Sequence, residues 1–293
     1  MNYALHVGIL IGIYLILSQS LNLILGLGQL FNLTHIASYA IGAYTFALLS
    51  TYLGINSIIC VASALFLNSL LVVLVAMLSI RLEQDSFTIG TLALSLIVGA
   101  VLTNYQSVTN GVLGVTGIPR PAIGEIDFTD NVNFFLLTLI CTLGCLFVLF
   151  IFFQNGFSRS FRAQAEYDKA TLALGYNTHC IRFIGLLVAS SCATIAGTLF
   201  ASYVGYIDPS SFNFTEMIFV LTITIVGNTG SFWPGSFWGV VAATIFLVIL
   251  PEPLRLIVLP PGVIGPARQM FYAIILFGVL CCKRNKIFST RCY

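Results

Sequence analysis

Long apolar runs broken by short polar stretches recur along the whole chain. They cover residues 4–26, 34–53, 56–80, 87–106, 133–154, 182–205, 212–226, 236–250 and 269–282. A helix needs ~20 apolar residues to cross the hydrocarbon of a bilayer, and most of the runs reach that length. Backbone groups in lipid must be hydrogen-bonded within the protein, so a span is either a helix or a strand of a closed barrel. Barrel strands alternate polar and apolar residues, and these runs do not. The pattern predicts an all-α polytopic membrane protein of about eight or nine transmembrane or re-entrant helices. It forms one membrane domain over residues 1–293, with a polar loop at about 155–181.

The seventh run is too short to cross comfortably. Its 15 residues, 212–226, give only ~23 Å of helix against ~30 Å of hydrocarbon. Between it and the eighth run lies GNTGSFWPG, Gly227 to Gly235, so the pair forms either a hairpin or one broken helix. Cytoplasmic loops are enriched in Lys and Arg. With the 155–181 loop inside, a hairpin puts nine basic residues inside and three outside; a broken helix gives seven and five. The hairpin separates the charges better. It places the N-terminus outside and the C-terminus inside.

Composition sharpens the picture. Hydrophobic residues make up 58% of the chain and charged residues 8%, where soluble domains carry about 25% charged. The chain cannot solvate itself as a globule, and its lateral partner is membrane lipid. Only His6, His35 and Glu216 are ionisable within or at the ends of the apolar runs, which argues against a proton relay at membrane depth. The three lysines follow Asp168, Cys282 and Asn285, so a phosphate-binding P-loop is absent. The scattered histidines supply no nucleophile–base pair, and no catalytic residue is assigned. The eight cysteines are expected as free thiols, with Cys141 and Cys145 as small packing residues and no metal site. No cofactor in this chain and no nucleic-acid partner are expected.

One stretch spends the scarce charge. Phe161 to Asn177 reads FRAQAEYDKATLALGYN. Ala163 to Leu174 is rich in helix formers and Gly175 is placed to cap it, which predicts a short helix with Ala170, Leu172, Ala173 and Leu174 on its apolar side. Glu166 and Asp168 would sit in its first half, where the helix dipole favours them. Such a segment either docks in a groove of a soluble partner or is a solvated loop face. Two further polar groups stand out. Gln29, Asn32, Thr34 and His35 either bond neighbouring helices or line a solute path. In the long loop 107–132, Asn110, Gly111, Gly114 and Gly117 form either a flexible linker or an ordered, turn-rich surface.

Several blocks resemble a known family in order along the chain. They are Gly28-Gln29-Leu30 with His35 and Ile41-Gly42-Ala43-Tyr44; Thr109-Asn110-Gly111 with Gly114 and Thr116-Gly117-Ile118-Pro119; Gly205-Tyr206-Ile207-Asp208-Pro209; and Leu250-Pro251-Glu252. Together with Glu166 to Gly175, they resemble the permease subunits of bacterial branched-chain amino-acid ABC importers, and the outer-loop block favours the branch of the longer permease. The resemblance implies that cytoplasmic ATPases, which carry the ATP and Mg, grip Arg162, Glu166, Asp168, Lys169, Ala170 and Gly175. It also implies a second homologous permease, an extracytoplasmic solute-binding protein touching the 110–117 loop, and a place in the bacterial inner membrane. The chain departs from the family pattern at Asn228 and at Pro234-Gly235, and at Thr34 where a glycine is common. Related permeases carry urea, amides or other small solutes. A self-contained carrier or channel would account for the apolar runs but not for the capped polar segment.

Overall fold

The computed structural model describes residues 2–123, 126–229, 236–251, 270–275 and 277–278. The described residues are helical almost throughout. The order is α1 (Asn2–Asn22), continued by a π-turn at Leu23–Leu27, α2 (His35–Tyr52), α3 (Ser57–Arg81), α4 (Gln84–Asn104) and a short α5 (Gln106–Thr109). Strands β1 (Val115–Thr116), β2 (Ala122–Ile123) and β3 (Ile126–Asp127) follow. Next come α6 (Asn131–Gln154), α7 (Gly156–Glu166), α8 (Asp168–Ala173) and α9 (Thr178–Val204). The chain then runs through β4 (Tyr206–Ile207), α10 (Phe214–Thr229) and α11 (Phe237–Ile249).

Among the described residues, six helical stretches are long and apolar enough to cross a membrane: Tyr3–Leu27, Ser57–Arg81, Gln84–Asn104, Asn131–Gln154, Thr178–Val204 and Pro209–Asn228. The last corrects the expectation for the seventh run, because a 3-10 turn at Pro209–Phe212 leads into α10 and lengthens it to 20 residues. The ninth run, the Pro-rich 251–267 segment and the C-terminal basic cluster lie wholly or largely outside the described residues.

Helices α1, α2 and α9 form the centre. α2 is buried along most of its length, which explains its Ser, Thr and Tyr content: a helix surrounded by protein need not be lipid-soluble all round. It crosses α9 at small residues. A methyl on Gly42 would run into the Thr194 carbonyl, and one on Gly197 into the Tyr39 carbonyl, so the two backbones touch. Around this centre, α3, α4 and α6 turn large apolar side chains outward, among them Phe66, Leu74, Ile97 and Phe147. Burying such side chains against protein would require a further layer; in a bilayer, lipid takes that role.

Contacts across the bundle give the helix directions. Tyr14 donates to Glu216 at 2.5 Å, Thr224 to the Ser18 carbonyl at 3.4 Å, and Asn228 to Asn22 at 2.8 Å, so α1 and α10 run parallel. Ser18 meets Thr244 at 2.7 Å while Asn22 reaches the Ser236 carbonyl at 3.3 Å, so α11 runs the other way. α10 and α11 are therefore an antiparallel hairpin, as the charge count predicts. Gly227 sits against Gly239 and Val240 where the two arms converge.

These directions define two faces. The upper face carries the N-terminal end of α1, residues 105–123 and β4. Antiparallel pairing of β1 with β4 joins the last two, with Val115 opposite Ile207. The lower face carries the end of the π-turn, the α3–α4 turn, α7, α8 and the start of α9.

Candidate functional site

The lower face is built on one aromatic wedge. Phe161 of α7 is fully buried and points between the end of the first span and α9. A methyl on Gly28 would overlap Phe161 Cζ, and one on Gly185 would lie 3.0 Å from it. Phe157 packs beside Phe161 with ring centroids 5.4 Å apart. The helix is thus keyed into the bundle by side chains that need glycine opposite them.

The expected single helix Ala163–Leu174 is two. Tyr167, at φ −144°, ψ 81°, ends α7 and precedes α8. The break corrects the placement of the acids. Glu166 is the last residue of α7 rather than in the first half of a helix, whereas Asp168 does open α8. Helix propensity could not reveal this, because residues on both sides of Tyr167 favour helix. The tertiary anchors differ on the two sides: Phe161 holds α7, while Asp168 pairs with Arg182 Nη2 at 3.4 Å. Arg182 also donates to the Ser79 carbonyl at 2.5 Å, so α3, α8 and α9 meet at one guanidinium.

The end of α8 follows the prediction. Gly175 has φ +86°, its amide bonds the Leu172 carbonyl at 3.0 Å, and the Tyr176 amide bonds the Thr171 carbonyl at 3.3 Å. This is a Schellman cap, for which glycine is the favoured residue. Asn177 then caps α9 by accepting from the Cys180 amide at 3.2 Å. Thr171 faces inward, so Lys169, Ala170, Leu172, Ala173, Leu174 and Gly175 are presented outward. Tyr167 and Leu174 are 73% and 77% exposed, with Tyr176 half exposed beside them. Together they make an exposed apolar cluster at the polar end of the bundle. Arg162 is half-buried and Glu166 exposed on the same face.

The second set, Gln29, Asn32, Thr34 and His35, forms the turn between α1 and α2. Gln29 holds φ +51°, unusual for a residue with a side chain. Asn32 accepts from the Thr34 hydroxyl and amide, at 2.5 and 3.1 Å. His35 is buried with Nε2 3.0 Å from Ser20 Oγ. Gln84 and Thr91 of α4 fasten the same turn. Sequence reading missed the polar set that continues from here: Ser18, Gln19 and Asn22 on α1 with Thr224, Asn228 and Thr244. The signal was present as SQSLN inside an apolar run. The other ionisable residues of the runs are also paired, His6 Nδ1 to the Tyr203 hydroxyl at 2.7 Å and Glu216 to Tyr14.

The third set splits. Gly111 and Gly114 are buried, and a methyl on Gly114 would collide with the Ile207 carbonyl. They are turn residues with φ of +57° and +71° rather than surface contacts. Asn110 is exposed and donates to the Tyr52 hydroxyl at 2.9 Å, and Gly117 is exposed. What the turn presents is Val112 and Leu113, 72% and 81% exposed, which sequence reading passed over. The five described cysteines, Cys60, Cys141, Cys145, Cys180 and Cys192, are free thiols.

Comparison with known proteins identifies the family of the chain. Residues 3–280 match the family described as "Branched-chain amino acid transport system / permease component". The chain is 32% identical to the high-affinity branched-chain amino acid transport system permease protein LivM of Escherichia coli over 266 residues, 83% of this chain and 61% of that protein. It is 24% identical to LivH of Salmonella typhimurium over 77% of this chain and 78% of that protein. It is 21% identical to a tyrosine transport system permease protein of Clostridioides difficile over 58% and 55%. The chain thus spans about three fifths of the length of the LivM relatives it matches. No solved structure matches it. The family match over almost the whole chain makes this protein a member of the branched-chain amino acid transport permease family.

Proposed function

We propose that the chain is the membrane-spanning subunit of an ATP-driven importer of branched-chain amino acids in the bacterial inner membrane. Separate cytoplasmic ATPases dock on α7 and α8 and supply the hydrolysis; ATP and Mg belong to them. The other half of the solute path comes from a second, homologous permease. An extracytoplasmic binding protein delivers the solute to the upper face near Asn110, Val112, Leu113 and Gly117. About eight or nine helices cross or re-enter the bilayer, with the N-terminus outside and the C-terminus inside.

The observation that carries this reading is the lower face. α7 is keyed into the bundle by Phe161, while α8 shows Leu172, Leu174 and neighbouring tyrosines to solvent. A partner gripping α8 would move α7, whose Phe161 packs on Gly28 after the first span and on Gly185 within α9. Nucleotide-driven closure of the ATPases would thereby change which face the path opens to. The higher identity to LivM favours aliphatic amino acids over the aromatic solute named for the clostridial relative.

The test is uptake of labelled leucine by the reconstituted four-part complex. Glu166→Ala and Leu174→Asp should abolish uptake while the subunit still inserts and its ATPases still hydrolyse ATP. Normal uptake by both variants, or surface labelling that places Lys169 outside the cell, would refute the reading.

A further inference from the structure

The lower face contains a cleft of about 400 Å³ between the end of the first span, the α3–α4 turn, α7–α8 and the start of α9. That volume lies within the range of small-molecule pockets, ~300–1,000 Å³. Its charged groups are Arg81, Glu83, Glu166, Asp168 and Arg182, and Ser79, Gln84 and Gln164 add neutral polar side chains. Leu30, Leu82 and Phe87 supply apolar wall on the α1 and α4 side.

Two atoms in this lining lack partners among the described residues. Gln164 is only 3% exposed, and its Oε1 accepts no hydrogen bond. Asp168 spends Oδ2 on Arg182, and its Oδ1 is buried and unpaired. Buried polar atoms are paired in the great majority of cases, and leaving an acceptor without a donor is costly. The Asp168 carboxylate can only accept, and the Gln164 amide can turn its oxygen to the same ligand, so the missing group is a donor. Once Asp168 and Arg182 are set aside as a pair, Glu83 and Glu166 outnumber Arg81, which adds a preference for positive charge. Arg81 remains as the one lining cation with no salt bridge among the described residues, suited to an anionic group.

We propose that this cleft binds a small ligand with a primary ammonium beside an anionic group. The ammonium sits on Gln164 Oε1 and Asp168 Oδ1, the anion faces Arg81, and an aliphatic portion lies on the apolar wall. A free aliphatic amino acid has this chemistry, and so does a phosphatidylethanolamine headgroup. Binding would tie α7 and α8 to the α3–α4 turn. That consequence rests on the coupling role proposed for α7 and α8; the binding itself does not.

The experiment uses the full chain without its ATPases, in nanodiscs of phosphatidylglycerol, titrated calorimetrically with L-leucine. Leucine should bind, and N-acetyl-L-leucine, which lacks the ammonium, should not. Gln164→Leu keeps side-chain size and should weaken leucine about tenfold, the loss of one charged hydrogen bond. Arg81→Gln, at an exposed position, should weaken leucine but leave L-leucinamide unchanged. Phosphatidylethanolamine that competes with leucine, or that native mass spectra show retained by the wild type and lost by Gln164→Leu, supports the site and assigns it to the headgroup. Absence of binding by both ligands overturns the proposal, as does leucine binding that neither substitution alters. Because no transport is measured, failure here is distinct from failure of the coupling role.

Discussion

Phe161 lies on Gly28 so closely that the glycine could not carry a methyl group without the ring moving. The contact joins α7, on the lower face, to the end of the first span, 133 residues earlier in the chain. Gly28→Ala should therefore cost about 1–3 kcal/mol through overpacking. Phe161→Leu should relieve part of that penalty in the double variant, because residues in contact are not additive. Thermal unfolding in detergent of both single variants and the pair checks this; simple additivity would mean that the two residues do not press on each other.

At the crossing of α2 and α9 the obstruction is backbone rather than side chain. Gly197→Ala would place its methyl on the Tyr39 carbonyl, which cannot rotate away. The expected result is a loss of about 1–3 kcal/mol or more. Gly144→Ala, on α6 with open space around it, should be tolerated. Yield of monodisperse protein and midpoint of thermal unfolding distinguish the two.

The cap of α8 predicts a conformational effect. Gly175→Ala forces a side chain into the left-handed region at φ +86° and should cost about 1 kcal/mol. Gly175→Asn should cost less, since Asn tolerates that region better. Hydrogen exchange of the 168–176 amides should quicken in the order wild type, Asn, Ala.

Arg182 and Asp168 form an unequal pair. Asp168 is partly solvated, so Asp168→Asn should change stability by no more than about 0.5–1 kcal/mol. Arg182→Ala also strips a donor from the Ser79 carbonyl and should cost more, about 1–2 kcal/mol. Chemical unfolding of the two variants in matched detergent gives the ratio; equal effects would show that the Ser79 contact contributes nothing.

On the upper face, burial raises the carboxyl of Asp208, but hydrogen bonds from the Ser210 and Ser211 hydroxyls and nearby amides outweigh it and hold the group below the usual Asp range. A depressed carboxylate stabilises the folded state fully above its unfolded value, near pH 4, and loses that contribution as pH falls through its folded value. Ordering of the 205–213 segment should thus be insensitive to pH from 5 to 8 and weaken only under more acidic conditions. Ser210→Ala with Ser211→Ala should move the acid transition upward, as read by hydrogen exchange of Ile207 and Ser211. An unmoved transition would count against the serines.

Much of this protein is legible in one dimension. Hydropathy is a property of consecutive residues, so the spans, the polar segment between the fifth and sixth runs, and the cap at Gly175 could all be read from the order of side chains. The charge distribution also pointed to the hairpin of α10 and α11, because Lys and Arg collect on the cytoplasmic side and only a hairpin keeps most of them there. Tertiary packing decided the rest. The break at Tyr167 arises because Phe161 and Asp168 are held by different partners, not because of any local preference. The seam between Asn22 and Asn228, the Arg182 junction and the cleft around Gln164 join residues dozens to hundreds of positions apart. Which buried acceptor finds a donor depends on how helices are arranged side by side, and side-chain chemistry along the chain does not encode that arrangement directly.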